Sequence, residues 1–145
     1  MPYTPFTLDE VRRIFVQSEQ GTGHAGARHV DITNAAMWDR MQGSRGSRAV
    51  AAITSFVKFD DQLGAALELL NSPANDAALE QFRCEHKPGR PYFAIQHRLA
   101  APVQMRYAIG GGTRTFPCTL VRLILEKKYG RPRNMHVVTF FGEFG

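Results

Sequence analysis

His29 and Arg40 stand eleven residues apart in the run Gly23-His24-Ala25-Gly26-Ala27-Arg28-His29-Val30-Asp31-Ile32-Thr33-Asn34-Ala35-Ala36-Met37-Trp38-Asp39-Arg40. A titratable imidazole and a fixed guanidinium on neighbouring short helices are what metal-free cleavage of a phosphodiester needs. RNA is cut by its own 2′-hydroxyl when a base removes that proton and the charge on the phosphoryl oxygens is stabilised. Histidine, with an unperturbed pKa of about 6.5, suits the first task, and such help is worth roughly 10²- to 10⁴-fold. Arg40 suits the second, because a guanidinium stays charged and grips two oxygens at once. Both residues also have plainer explanations: a histidine that bonds a carbonyl, and a cation that complements the dipole at a helix C-terminus. His24, five residues before His29, is either a second acid or base or a helix-start residue. Trp38 fits a core position better than a base-stacking platform.

The elements that must position these groups begin with a helix. Thr7-Leu8-Asp9-Glu10 is a capping-box pattern, with Leu8, Val11, Ile14 and Phe15 on one face and a break at Gly21-Thr22-Gly23. A second short helix is expected from His24 to Val30 and a third, capped by Thr33, to Gly43. A basic loop, Gly43 to Arg48, then leads into the β-capable stretch Ala49 to Phe56. There Thr54 and Ser55 either satisfy backbone groups or line a cleft. Asp60 reads as the cap of a helix from Gln62 to Leu70 with an apolar stripe of Leu63, Ala66, Leu67 and Leu70. A further helix follows from Asp76 to Glu85, with Leu79 and Phe82 inward.

Beyond Pro88-Gly89-Arg90-Pro91 the helical period gives way to alternation. Strands are expected at Tyr92–Leu99, Val103–Ile109, Phe116–Glu126 and Met135–Phe141, joined by Ala101-Pro102, Gly110-Gly111-Gly112 and the segment Tyr129 to Asn134. Helices first and strands second predict an α+β fold, with short N-terminal helices on a C-terminal antiparallel sheet. His136 lies three residues before Thr139 and, on a regular strand, projects to the opposite face. His97, on the first long strand, is a candidate donor to a leaving 5′-oxygen.

The 145 residues suit one domain, in which residues 1–21 form an N-terminal helical segment. No apolar run is long enough to span a membrane, and no secretory signal opens the sequence, so export requires another route or a larger parent chain. The net charge of +5 and pI near 9.6 favour a polyanionic partner such as RNA. The densest basic cluster, Lys127, Lys128, Arg131 and Arg133, reads equally as a solvated loop. Cys84 and Cys118 lack metal-ligand spacing and read as buried free thiols, with a disulfide possible in an oxidising compartment. No phosphate-binding glycine loop, Rossmann fingerprint or His-Glu-x-x-His motif occurs, so no cofactor is expected.

With the Gly-His start, the His29-Val30 pair, the Thr-capped helix ending in Arg40, Thr54-Ser55-Phe56 and the terminal Val137-Val138-Thr139-Phe140-Phe141, the chain resembles a known family over residues 22–145. It is similar to the ribonuclease-A-like toxin domain at the C-terminal tips of bacterial contact-dependent inhibition proteins and related polymorphic toxins. The resemblance implies a kidney-shaped α+β domain that cleaves RNA without metal, by 2′-hydroxyl transesterification. It also implies delivery from the producing cell, action in the target-cell cytoplasm, and neutralisation by a cognate immunity protein. By that resemblance His29 and Arg40 are catalytic, and Thr139 matches the threonine of a terminal Thr-x-Tyr. Phe141 stands where the family commonly has tyrosine, so a hydroxyl there is absent or comes from Tyr129 or Tyr107. His24, Thr54 and Phe141 are weaker substrate-binding candidates.

Two other functions compete. A non-catalytic module whose basic loops hold RNA would suit the charge and the Phe141 departure. ADP-ribosyl transfer would need a Glu-x-Glu type acidic site, and the sequence offers only an isolated Glu143 near its end.

Overall fold

The computed structural model describes residues 5–20, 23, 30, 54–84, 92–109 and 112–143. Helix α1 (Leu8–Gln20) starts as expected, with the Thr7 hydroxyl accepting from the Glu10 amide at 3.2 Å. Its buried face is Val11, Ile14, Phe15 and Ser18, while Leu8 lies 42% exposed. The apolar stripe is thus shifted one turn toward the C-terminus, where a serine is buried because its hydroxyl has two partners. Ser18 Oγ donates to the Ile14 carbonyl at 2.7 Å and accepts from the Val137 amide at 2.9 Å. One hydroxyl therefore docks the helix on a strand more than a hundred residues away.

Strand β1 (Thr54–Phe56) precedes helix α2 (Phe59–Asn71). The helix starts before Asp60, with Lys58 as its N-cap and no side-chain cap bond. Asp60 and Asp61 sit instead in the first turn, where carboxylates complement the positive end of the helix dipole. Its buried residues are Gln62, Leu63, Ala65, Ala66, Leu69 and Leu70, and Leu67 is only half-buried. A 3₁₀ turn, Pro73–Asn75, leads into helix α3 (Asp76–Cys84), which buries Leu79 and Phe82 as the periodicity predicts.

The remaining strands are β2 (Phe93–Ile109), β3 (Gly112–Lys127) and β4 (Met135–Glu143). They form an antiparallel sheet in the order β1-β2-β3-β4. The two strands expected across Ala101-Pro102 are one. Their register slips between Arg98 and Val103 while pairing with β3 continues on both sides. An irregularity of this kind tolerates a proline that a regular ladder would not. The Ala100 amide, freed there, donates to Glu68 Oε2 of α2 at 2.9 Å.

The sheet curls until its edge strands meet. Thr54 Oγ1 donates to the Gly142 carbonyl at 2.7 Å, and the rings of Phe56 and Phe140 stack 5.6 Å apart. A Cβ at Gly142 would collide with Met105 Sδ and come within 2.8 Å of Cys118 Sγ, so the glycine leaves room in the core for both sulfur-bearing side chains. The core lies between the helices and one face of the sheet, built on Phe15, Phe56, Phe82, Met105, Leu123, Leu125 and Phe140. This is the expected α+β arrangement of helices followed by an antiparallel sheet. Among the described residues, no helix is long and apolar enough to cross a membrane.

Candidate active site

The strand that carries Thr139 is not regular. Leu125 pairs with Val137 but Ile124 pairs with Thr139, so Val138 is an extra residue with no partner on β3. Such a bulge reverses the side-chain alternation on one side of it. Met135, Val137, Phe140 and Gly142 therefore align with the core-facing Lys127, Leu125, Leu123 and Val121. His136, Thr139, Phe141 and Glu143 align with Glu126, Ile124, Arg122 and Leu120 on the second face. The expectation that His136 and Thr139 point to opposite sides is overturned, because it assumed an unbroken strand.

Both residues are enclosed on that face. His136 is fully buried and Thr139 is 9% exposed. Burial pushes the His136 imidazole below its ordinary 6.5, and the nearby cations Lys128 and Arg131 act the same way, against an opposing pull from Glu126. The ring is thus held neutral near pH 7. Thr139 Oγ1 is buried and has no hydrogen-bond partner among the described residues. A buried hydroxyl without a partner costs stability.

Toward the end of β4 the second face becomes accessible. Phe141 is half-buried opposite Arg122, and Glu143 Oε1 accepts from Arg122 Nε at 2.9 Å and from Gln96 Nε2 at 3.1 Å. Gln96 pairs with Arg122 across β2 and β3, so the three polar side chains come from three strands. Sequence reasoning gave Arg122, Gln96 and Glu143 no such common setting. The only signal for it was the alternation of polar residues along each strand.

The other expected site residues divide into three groups. His24, His29 and Arg40 lie outside the described residues, as do Trp38 and the two short helices expected around them, apart from Val30. That residue forms an isolated parallel bridge with Phe56. Thr54 is buried, and its hydroxyl ties β1 to β4 rather than lining the face that carries Thr139. The two tyrosines considered as hydroxyl donors lie on β2 and in the turn after β3. Tyr107 stands opposite Arg114 with its ring against Phe116, and Tyr129 is 72% exposed in the turn after β3.

His97 sits on the helical side of the sheet. Its Nδ1 lies 3.2 Å from Asn75 Nδ2 and its Nε2 lies 2.9 Å from Glu68 Oε2. With the amide donating to Nδ1, the proton is on Nε2 and points to the carboxylate. The same carboxylate oxygen holds the Ala100 amide, so this chain of bonds fixes the β2 irregularity to α2. It accounts for His97 without a catalytic role.

The basic cluster is also largely structural. Lys127 is 6% exposed, and its ammonium donates to the carbonyls of Phe82 (3.2 Å) and Arg83 (2.6 Å) at the end of α3. Arg131 donates to the Gln17 carbonyl at 3.0 Å. Arg133 grips both Glu10 oxygens at 2.9 and 2.8 Å, donates to the Pro5 carbonyl and stacks 3.9 Å over the Phe6 ring. Three of the four cations thus bind this protein's own chain. Of the cysteines, both are free thiols, but only Cys118 is buried and Cys84 is exposed. Among the described residues, no group of three or more His, Cys, Asp or Glu is placed to hold a metal ion.

No protein-family model matches the chain, and no curated protein does. Among solved structures the chain is similar to the crystal structure of the CdiA-CT/CdiI complex from Y. kristensenii 33638. The match has a TM-score of 0.62 and 19% identity, and covers 84% of this chain and all of the matched one. At that identity the likeness is one of fold.

Proposed function

We propose that this protein is a metal-independent endoribonuclease toxin, delivered into neighbouring bacteria by a larger parent chain or secretion machinery and restrained by a cognate immunity protein. His29 takes the 2′-hydroxyl proton, the 2′-oxygen attacks phosphorus, and the bond from phosphorus to the 5′-oxygen breaks to leave a 2′,3′-cyclic phosphate. Arg40 holds the phosphoryl oxygens as charge builds on them, and Thr139 donates a hydrogen bond to one of them. His24 and Phe141 contact the substrate, and with phenylalanine at 141 the leaving oxygen draws its proton from another group. Thr54 supports the cleft only through the β1–β4 closure.

The observation that carries this reading is the Thr139 hydroxyl, buried without a partner among the described residues on a face that a bulge assembles around it. A preorganised donor waiting for a phosphoryl oxygen has this character. The likeness in fold to a chain of a CdiA-CT/CdiI complex supports the toxin and immunity parts of the proposal; action in the target-cell cytoplasm follows from RNA being the substrate. A non-catalytic RNA-binding module is disfavoured, because most of the densest basic cluster is bonded within the protein.

The test is incubation of total RNA in chelator with the wild type beside His29→Ala, Arg40→Ala and Thr139→Val. Cleavage with cyclic-phosphate ends, lost in the first two variants, is the expected result. Salt-sensitive RNA binding without cleavage, or full activity after combined His29→Ala and Arg40→Ala substitution, would overturn the proposal.

A further inference from the structure

The accessible end of the second face presents a polar set with unused capacity. Glu143 Oε1 is occupied by Arg122 Nε and Gln96 Nε2, which fixes all three side chains in position. Glu143 Oε2, Gln96 Oε1 and the terminal nitrogens of Arg122 make no hydrogen bond among the described residues. The carboxylate and guanidinium are 27% and 37% exposed, so these atoms are reachable from solvent. Phe141 lies directly across the ladder from Arg122. Two residues before it on the same face is Thr139, about 7 Å away along a strand. A single nucleotide bridges that span between its base and its phosphate.

Two acceptors, one of them anionic, beside a guanidinium and an aromatic ring match the edge of a nucleobase that offers two adjacent donors and one acceptor. Guanine has that edge in N1–H, the N2 amine and O6. Adenine and cytosine each offer a single amine, and uracil a single N–H. Unpaired bases are read in this way in single-stranded RNA, with the ring stacked on an aromatic side chain. We propose that Phe141, Arg122, Glu143 and Gln96 form a guanine-binding subsite that sets where the RNA is cut. Phe141 stacks on the base, Glu143 and Gln96 accept from N1–H and the N2 amine, and Arg122 donates to O6. The proposal rests on the ribonuclease reading for its consequence at the scissile bond, but not for binding of the base itself.

Two measurements separate the two ideas. In the first, GMP, IMP, AMP, CMP and UMP are titrated separately into the wild type, following backbone amide resonances. GMP is expected to bind about tenfold more tightly than IMP, which lacks the N2 amine, and than the other three. Glu143→Gln, which keeps the shape but removes the anionic acceptor, is expected to abolish that preference while its melting profile stays that of the wild type. Equal affinity for all five nucleotides, or an unchanged preference in Glu143→Gln, would overturn the subsite. The second measurement is cleavage of short RNAs that differ only at the base beside the scissile bond, with cutting at guanine about tenfold faster than at inosine. Cleavage without base preference would sink the subsite and leave the ribonuclease standing. Guanine-selective binding without cleavage would do the reverse.

Discussion

Replacing Thr139 by valine separates what the residue does for the fold from what it does for chemistry. The side chain is nine-tenths buried and its Oγ1 has no partner among the described residues. A hydroxyl removed from water without a compensating bond costs roughly 1–3 kcal/mol in protein mutational data. Valine has the same shape without that penalty, so Thr139→Val should be more stable than the wild type by about 1 kcal/mol. For a chain of this length that raises the melting temperature by about 2–4 °C. If the hydroxyl donates to the phosphoryl group in the transition state, losing it lowers RNA cleavage about a hundredfold. Thr139→Ser is the control, because it keeps the hydroxyl and loses one buried methyl, costing about 1 kcal/mol while cleavage persists. Urea unfolding and an RNA cleavage assay on the three proteins decide the matter. A valine variant that is less stable than the wild type and cleaves RNA equally well would refute the reasoning.

Arg133→Ala removes the grip on Glu10, the bond to the Pro5 carbonyl and the contact with the Phe6 ring. It should lower the unfolding free energy by about 2–3 kcal/mol in urea, since it strands a largely buried carboxylate. Lys128→Ala should stay within about 0.5 kcal/mol, and equal effects of the two would contradict the structural assignment of the cluster. For His136, the folded imidazole has a pKa below the 6.5 of the unfolded chain. The unfolded state therefore binds more protons in acid, and stability rises with pH. This contribution is complete above about pH 6.5 and is lost as pH falls through the depressed value. His136→Gln should show a shallower loss of stability than the wild type below pH 6.5, and parallel curves would exclude His136 as the source.

The types of most described elements were legible in the sequence, because periodicity and turn chemistry are local signals. The capping box at Thr7, the apolar faces of α2 and α3, and the alternation after residue 91 all lead to the α+β order that is observed. Its marks failed where a local rule has a tertiary exception. Ala101-Pro102 reads as a turn, yet β3 pairs on both sides of it and α2 caps the freed amide through Glu68. Lys127, Arg131 and Arg133 read as a surface cluster, yet each meets carbonyls or a carboxylate contributed by distant segments.

The candidate site shows the same division. Residue types made His29, Arg40 and Thr139 candidates, since the chemistry of an imidazole, a guanidinium and a hydroxyl belongs to the side chain alone. Which neighbours Thr139 has was decided by one unpaired residue, Val138. Strand alternation has a period of two, so a single inserted residue moves His136 to the face that carries Thr139. Nothing in the local sequence marks Val138 as that residue, because the insertion exists only in the register between β3 and β4. The meeting of Gln96, Arg122 and Glu143 on three strands likewise exists only once those strands are paired.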